Sequence, residues 1–178
     1  RVIDSIPCTK IKTNDYTAIS EATRNLIASK RNQIILVSAI NNLNVGKQRT
    51  KGYQKAMEHA GLSSVVLEAN LDQIENVLKD YSENNTFDAV IALDTDASFA
   101  VYKVASELGK NIPTDIAVIG YMSERIAPYL TPELTTINQH SYTTGETAAK
   151  MLLAQLEDKQ NTDQTILIDS TMYQRVSS

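Results

Sequence analysis

The stretch AVIALDTDASFAVYKVASELGKNIPTDIAVIGY, residues 89–121, decides the fold. "FDAVIAL" (87–93) is a short aliphatic run with the length of a strand buried on both faces. Ala97, Ala100, Val101, Val104 and Leu108 then recur at helical spacing, and Gly109 stops them. "DIAVIGY" (115–121) is a second buried strand. Strand, helix and strand of this kind form a βαβ unit, which requires a parallel sheet.

The same alternation extends both ways. Upstream, Ile19, Ala22, Thr23, Leu26 and Ile27 form a helical stripe, followed by the strand "QIILVSA" (33–39). Tyr53, Ala56, Met57 and Ala60 form the next stripe, ended by Gly61, and "SSVVLEA" (63–69) is a strand. Leu71, Ile74, Leu78 and Tyr81 make a third helix, and "SENNT" (82–86) a turn. Downstream, "SERIAPYLTPEL" (123–134) is loop-like because Pro128 and Pro132 break regular structure. Residues 145–156 are helical, with Ala148, Ala149, Leu152, Leu153 and Leu156 on one face, and "QTILID" (164–169) closes as a strand. The most linker-like stretch is "EDKQNTDQ" (157–164). The fold class is therefore α/β, a parallel sheet with helices on both faces.

Composition narrows the function. A chain of 178 residues, 42% hydrophobic, suits one globular domain or two small lobes. Its net charge of -4 argues against this chain gripping duplex DNA by itself, since that relies on clustered Lys and Arg. The apolar runs are too short to span a membrane, so no membrane partner is expected. The chain starts at Arg1 without a signal-peptide pattern, and is expected to be part of a longer protein. A single cysteine, Cys8, forms no internal disulfide and suits a reducing cytoplasm; it is expected to be a packed side chain.

Asp94-Thr95-Asp96, at the end of the first quoted strand, raises a catalytic reading. Phosphatases of the haloacid-dehalogenase type start from such a D-x-D, with a nucleophile, an acid, and further carboxylates for Mg²⁺. The next strand leads to Met122, Ser123 and a lone Glu124, so the metal cup is missing. The quieter reading is a helix start: Asp94 or Thr95 as N-cap, with Asp96 at the positive end of the dipole. The six glycines are too scattered for a nucleotide fingerprint, and no Cys/His spacing suits a metal. His59 reads as a surface residue in a last helical turn. No enzyme, cofactor or metal is expected.

Ligands of open parallel sheets bind beyond the carboxyl ends of the strands. Here those ends are 39–44, 69–70, 93–94 and 121–122, and Arg49 on the following helix can reach back over that rim.

Four segments make a family recognisable. "RTKGYQKAM" (49–57) resembles the R-x-x-G-[FY]-x-x-A-[LM] helix of LacI/GalR bacterial transcription regulators. Residues 89–121 resemble that family's N-D-x-x-A-x-G…[IV]-P-x-D-[IV]-x-[IV]-[IV]-G-[FY] stretch. "LTPELTTINQ" (130–139) with "GETAAKMLL" (145–153), and the closing "QRVSS" (174–178), match in order and spacing. The resemblance runs from about residue 7 to 177.

It implies a two-lobed effector-binding domain like the sugar-binding periplasmic proteins, present in part over residues 1–178. Residues 15–136 and 165–178 would be the second lobe, and 1–14 and 140–160 first-lobe or crossover parts, with "TTINQ" a crossover. The DNA-binding helix-turn-helix would lie outside this chain. The implied function is to sense a small molecule, a sugar or related metabolite, as a cytoplasmic homodimer, and so alter binding of operator DNA. A solute-binding protein of the same architecture is the alternative. Carried over by position, the effector-binding residues would be Arg49, Asp94, Met122, Gln139, Leu43 and Val45. Met122 replaces the family's usual Asp, so Asp94 is expected to partner Arg49 instead, and Thr95, which falls on the family's Asp at the helix start, is expected to cap that helix. The helix over 96–108 and the segment near Tyr129-Leu130 are candidates for the dimer face. The helix carrying Ala149 and Leu153 is expected to expose apolar surface unless something covers it.

Overall fold

The computed structural model describes residues 6–158 and 164–178. Its centre is a six-stranded sheet. The parallel strands are β2 (Ile34–Ser38), β3 (Val65–Glu68), β4 (Ala89–Ala92), β5 (Ala117–Gly120) and β6 (Thr135–Asn138). A short strand, β8 (Thr171–Tyr173), joins β6 antiparallel, giving the order β3-β2-β4-β5-β6-β8. A separate parallel pair consists of β1 (Lys10–Thr13) and β7 (Thr165–Ile168).

Four helices cover the large sheet. α1 (Asp15–Ala28) and α2 (Asn44–His59) lie on one face, and α3 (Ile74–Asn84) and α4 (Thr95–Glu107) on the other. Strand alternation explains the division. Ile34 and Leu36 of β2 and Ile91 of β4 pack toward α1 and α2, whereas Ile35, Val37, Val90 and Ala92 pack toward α3 and α4. Each of the Ile, Leu and Val side chains among these, removed from water, contributes about 1.5–3 kcal/mol of transfer free energy. Strands buried on both faces are why the sequence reads as continuous apolar runs rather than alternating ones.

Several expectations need correction. Residues 164–169 do form a strand, but it pairs with β1 rather than joining the large sheet; β8 makes that connection. Within "TTINQ", Thr135–Asn138 form β6, an interior strand of the large sheet. α3 runs on through most of the expected 82–86 turn, ending at Asn84. Cys8 lies ahead of β1 and is exposed rather than packed. The linker-like stretch 157–164 falls largely outside the described residues. α5 (Ser141–Asp158) leaves Ala148, Ala149, Leu152, Leu153 and Leu156 exposed, as its apolar stripe led one to expect. Among the described residues, no helix is long and apolar enough to cross a membrane.

Candidate functional site

Because β2, β4, β5 and β6 run parallel, their carboxyl ends open at one edge of the sheet. A cavity of about 560 Å³ lies there. Its wall is built from the residues that follow each strand: Ile40 after β2, Leu93 to Thr95 after β4, Tyr121 to Glu124 after β5, and Gln139 and Ser141 after β6. Ile137 and Asn138, Val45 and Arg49 complete it.

Arg49 is the best-fixed polar group of this wall. Its residue is only 3% exposed although it carries a formal charge. Nε donates to Asp15 Oδ1 at 2.7 Å, and Nη1 donates to the Leu93 carbonyl at 2.8 Å. Its guanidinium lies 3.5 Å from the centroid of the Tyr121 ring, a stacking geometry suited to the flat arginine head. Asp15 is held in turn by the Thr13 hydroxyl at 2.7 Å. These contacts leave Nη2 without a partner among the described residues. Burial pushes the Tyr121 phenol up, an effect that Asp15 augments and the Arg49 charge opposes. The Tyr121 hydroxyl is buried without a hydrogen-bond partner among the described residues.

Asp94 takes the capping role that the sequence allowed for it, but not the pairing with Arg49 that was expected. It does not pair with Arg49, whose carboxylate partner is Asp15. Oδ1 accepts the Ala97 N–H at 2.8 Å, which makes Asp94 the N-cap of α4. Oδ2 accepts the Ala39 N–H at 2.9 Å, tying the end of β2 to the start of α4. Thr95, expected as the cap, is the first helical residue, and its hydroxyl contacts the Tyr121 carbonyl at 3.5 Å. Serving backbone donors on both oxygens is the chemistry of a structural carboxylate rather than that of a phosphoryl-accepting nucleophile.

Of the other expected residues, Val45, Met122 and Gln139 line the cavity, with Asp94 and Arg49. Leu43 stands at the N-cap of α2, outside the wall. Met122 is buried against Ala127, Leu134 and α4, so it forms an apolar section.

Sequence reasoning missed Asp15, Tyr121 and Glu124. Glu124 lines the cavity two residues beyond Met122. It accepts from the Thr136 hydroxyl and is ion-paired with Arg175. Arg175 also donates from Nη1 to the Leu134 carbonyl and to Thr136 Oγ1, both at 2.8 Å. The signal available was an acid just past a strand end. In sequence it stands alone, without the second acid that a metal cup needs. Asp15 gave a weaker signal, an acid at a helix start, whose partner lies 34 positions away.

A family model for the periplasmic binding protein-like domain matches residues 23–178. The chain belongs to that family. Among relatives of this periplasmic binding protein-like domain is the HTH-type transcriptional repressor PurR of Escherichia coli O1:K1 / APEC. The two are 30% identical over 165 residues, 88% of this chain and 48% of the relative. The domain also resembles the LacI family transcriptional regulator from Enterococcus faecium with bound ribose. That match has a TM-score of 0.86 at 24% identity, over 96% of this chain and 65% of that one. A transcriptional regulator CelR–cellobiose complex gives a TM-score of 0.85 at 21% identity, over 97% and 54%. The effector-binding fold is thus that of LacI-type regulators. The chain spans about half the length of the curated relatives it matches.

Proposed function

We propose that this chain is the small-molecule-sensing part of a LacI-type transcription regulator, taking a sugar or related metabolite in the cavity at the carboxyl edge of the sheet. The observation that carries the reading is Arg49. A cation this buried, locked on two sides and stacked on Tyr121, is costly to place unless its remaining donor has a use. Nη2 would bind a hydroxyl or carbonyl of the ligand. Asp94, Gln139 and Val45 would line the bound molecule, and Met122 would give it an apolar neighbour. The ribose and cellobiose held by similar structures support a polyhydroxy ligand.

Ligand binding would shift a population between two arrangements of the protein, and operator DNA, contacted by segments outside this chain, would read the shift. The coupling is a linkage free energy, typically ~1–3 kcal/mol. A homodimer through α4 and the segment that follows β5 would transmit it; Phe99 and Tyr129 are exposed there, the latter 85%. The place of action would be the cytoplasm. The repressor relative favours this reading over a free-standing solute-binding protein.

The test is operator-binding anisotropy on the intact protein with a metabolite library. Arg49→Ala should keep operator binding and lose the response to every library member that shifts the wild type, by tenfold or more in ligand concentration. An Arg49→Ala protein that responds like wild type would refute the assignment of this cavity.

A further inference from the structure

We propose that Glu124 is the carboxylate that meets the ligand, and that the cavity takes an uncharged, donor-rich polyol and rejects its phosphorylated or carboxylated counterpart. This rests on the sensing role proposed above and specifies the ligand.

The charges on the wall support it. Arg49, Asp94 and Glu124 are the charged residues lining the cavity. The Arg49 charge is already matched by Asp15 at 2.7 Å. Glu124 is matched by Arg175. Asp94 is met by two backbone N–H groups, and no Lys or Arg pairs with it among the described residues. The wall therefore carries one uncompensated negative charge. The N-terminus of α4, a natural place for an anion, is already taken by the Asp94 carboxylate. Against this stands the first turn of α2, which has no side-chain cap. Its partial charge, about half a unit, is smaller than the full charge on Asp94. A phosphate or carboxylate entering here meets net repulsion.

Hydrogen-bonding capacity points to Glu124. An ionised carboxylate has roughly four acceptor sites. Arg175 and Thr136 use one on each oxygen and fix the side chain, which remains 28% exposed. What it offers the cavity is acceptor capacity with no donor. Only a ligand bearing hydroxyls or N–H groups can use it.

The experiment is calorimetry on the intact protein with matched sets: ribose, ribose 5-phosphate and ribonate; glucose, glucose 6-phosphate and gluconate; cellobiose and cellobionate. At least one neutral sugar should bind, and its anionic counterparts should bind at least tenfold more weakly. Glu124→Gln should weaken the neutral binder by tenfold or more, the usual worth of a charged hydrogen bond. Because that change also removes the ion pair with Arg175, melting is followed alongside. If Glu124→Gln does not fold, Glu124→Asp decides: it keeps the charge, shortens the reach, and should still cost severalfold in affinity. An anionic counterpart binding as tightly as its neutral parent overturns the inference. So does unchanged affinity in the variant that folds, or the binding of no neutral sugar in the set. None of these results touches the cavity assignment, which the Arg49→Ala operator assay tests separately.

Discussion

Asp94 shows how one carboxylate can serve two backbone segments at once. By accepting from Ala97 it begins α4, and by accepting from Ala39 it fastens the end of the neighbouring β2. Asp94 lines the cavity, so these two bonds stiffen the rim where a ligand would touch it. Tyr53 plays the matching role on the opposite side of β2. Its hydroxyl donates to the Ile34 carbonyl at 2.8 Å and accepts the Val65 N–H at 2.9 Å, bridging β2 to β3. Burial, the dominant cause, pushes its phenol up to about 12. Tyr102, also raised chiefly by burial, reaches about 12 as well. An unfolded tyrosine loses its proton near pH 10, whereas these hold theirs in the folded state. The stability these two tyrosines contribute is therefore fully present below pH 10 and is lost as pH rises toward 12. Urea melts at pH 9, 10 and 11 should show that decline. Tyr53→Phe should cost about 1–2 kcal/mol at neutral pH, because Ile34 C=O and Val65 N–H lose a buried partner. The same variant should decline less steeply above pH 10; a slope equal to wild type would show that Tyr53 is not the group titrating.

Between elements, contact distance decides more than propensity. Gly52 lies in α2 where α1 crosses it, and a Cβ there would stand 2.3 Å from the Tyr16 carbonyl oxygen. Alanine normally favours a helix over glycine by about 1 kcal/mol. Forcing backbone apart in a packed interface costs typically 1–3 kcal/mol, occasionally more. The clash should win, so Gly52→Ala should lower unfolding free energy by about 1–2 kcal/mol in denaturant melts. It should also weaken ligand responses, because α1 carries Asp15, the partner of Arg49. A more stable Gly52→Ala would mean that α1 moves aside at little cost. This glycine belongs to the R-x-x-G-Y pattern legible in the sequence, whereas its reason, a second helix lying against it, is not. The same limit applies at the site. Apolar runs and helical stripes are local, so β2, β4, β5 and their helices could be read directly. Pairings are not local: nothing near Arg49 in sequence points to Asp15, and nothing near Glu124 points to Arg175, 51 positions on. β8 escaped notice because three residues, Thr171–Tyr173, are too few to show a period. The β1–β7 pairing joins segments at opposite ends of the chain, and strand pattern alone cannot choose a partner.

At the scale of the whole molecule, surface is divided unequally. α1 to α4 bury their stripes against the large sheet, but α5 presents Leu152, Leu153 and Leu156 to solvent, with Leu153 59% exposed. Tyr142, at the start of α5, and Leu167 of β7 are exposed too. Exposed apolar surface of this kind drives association when nothing else covers it. The 178-residue chain in isolation is therefore expected to self-associate with rising concentration. Sedimentation velocity should show a weight-average mass that grows with concentration and falls when Leu153 and Leu156 are both changed to Gln. Because these side chains already lie in water, the double change should move unfolding free energy by no more than about 0.5 kcal/mol per site. Equal association before and after the change would move the sticky surface elsewhere, to Phe99 and Tyr129. A loss of several kcal/mol would instead show that the leucines are packed. That would contradict the exposed face of α5.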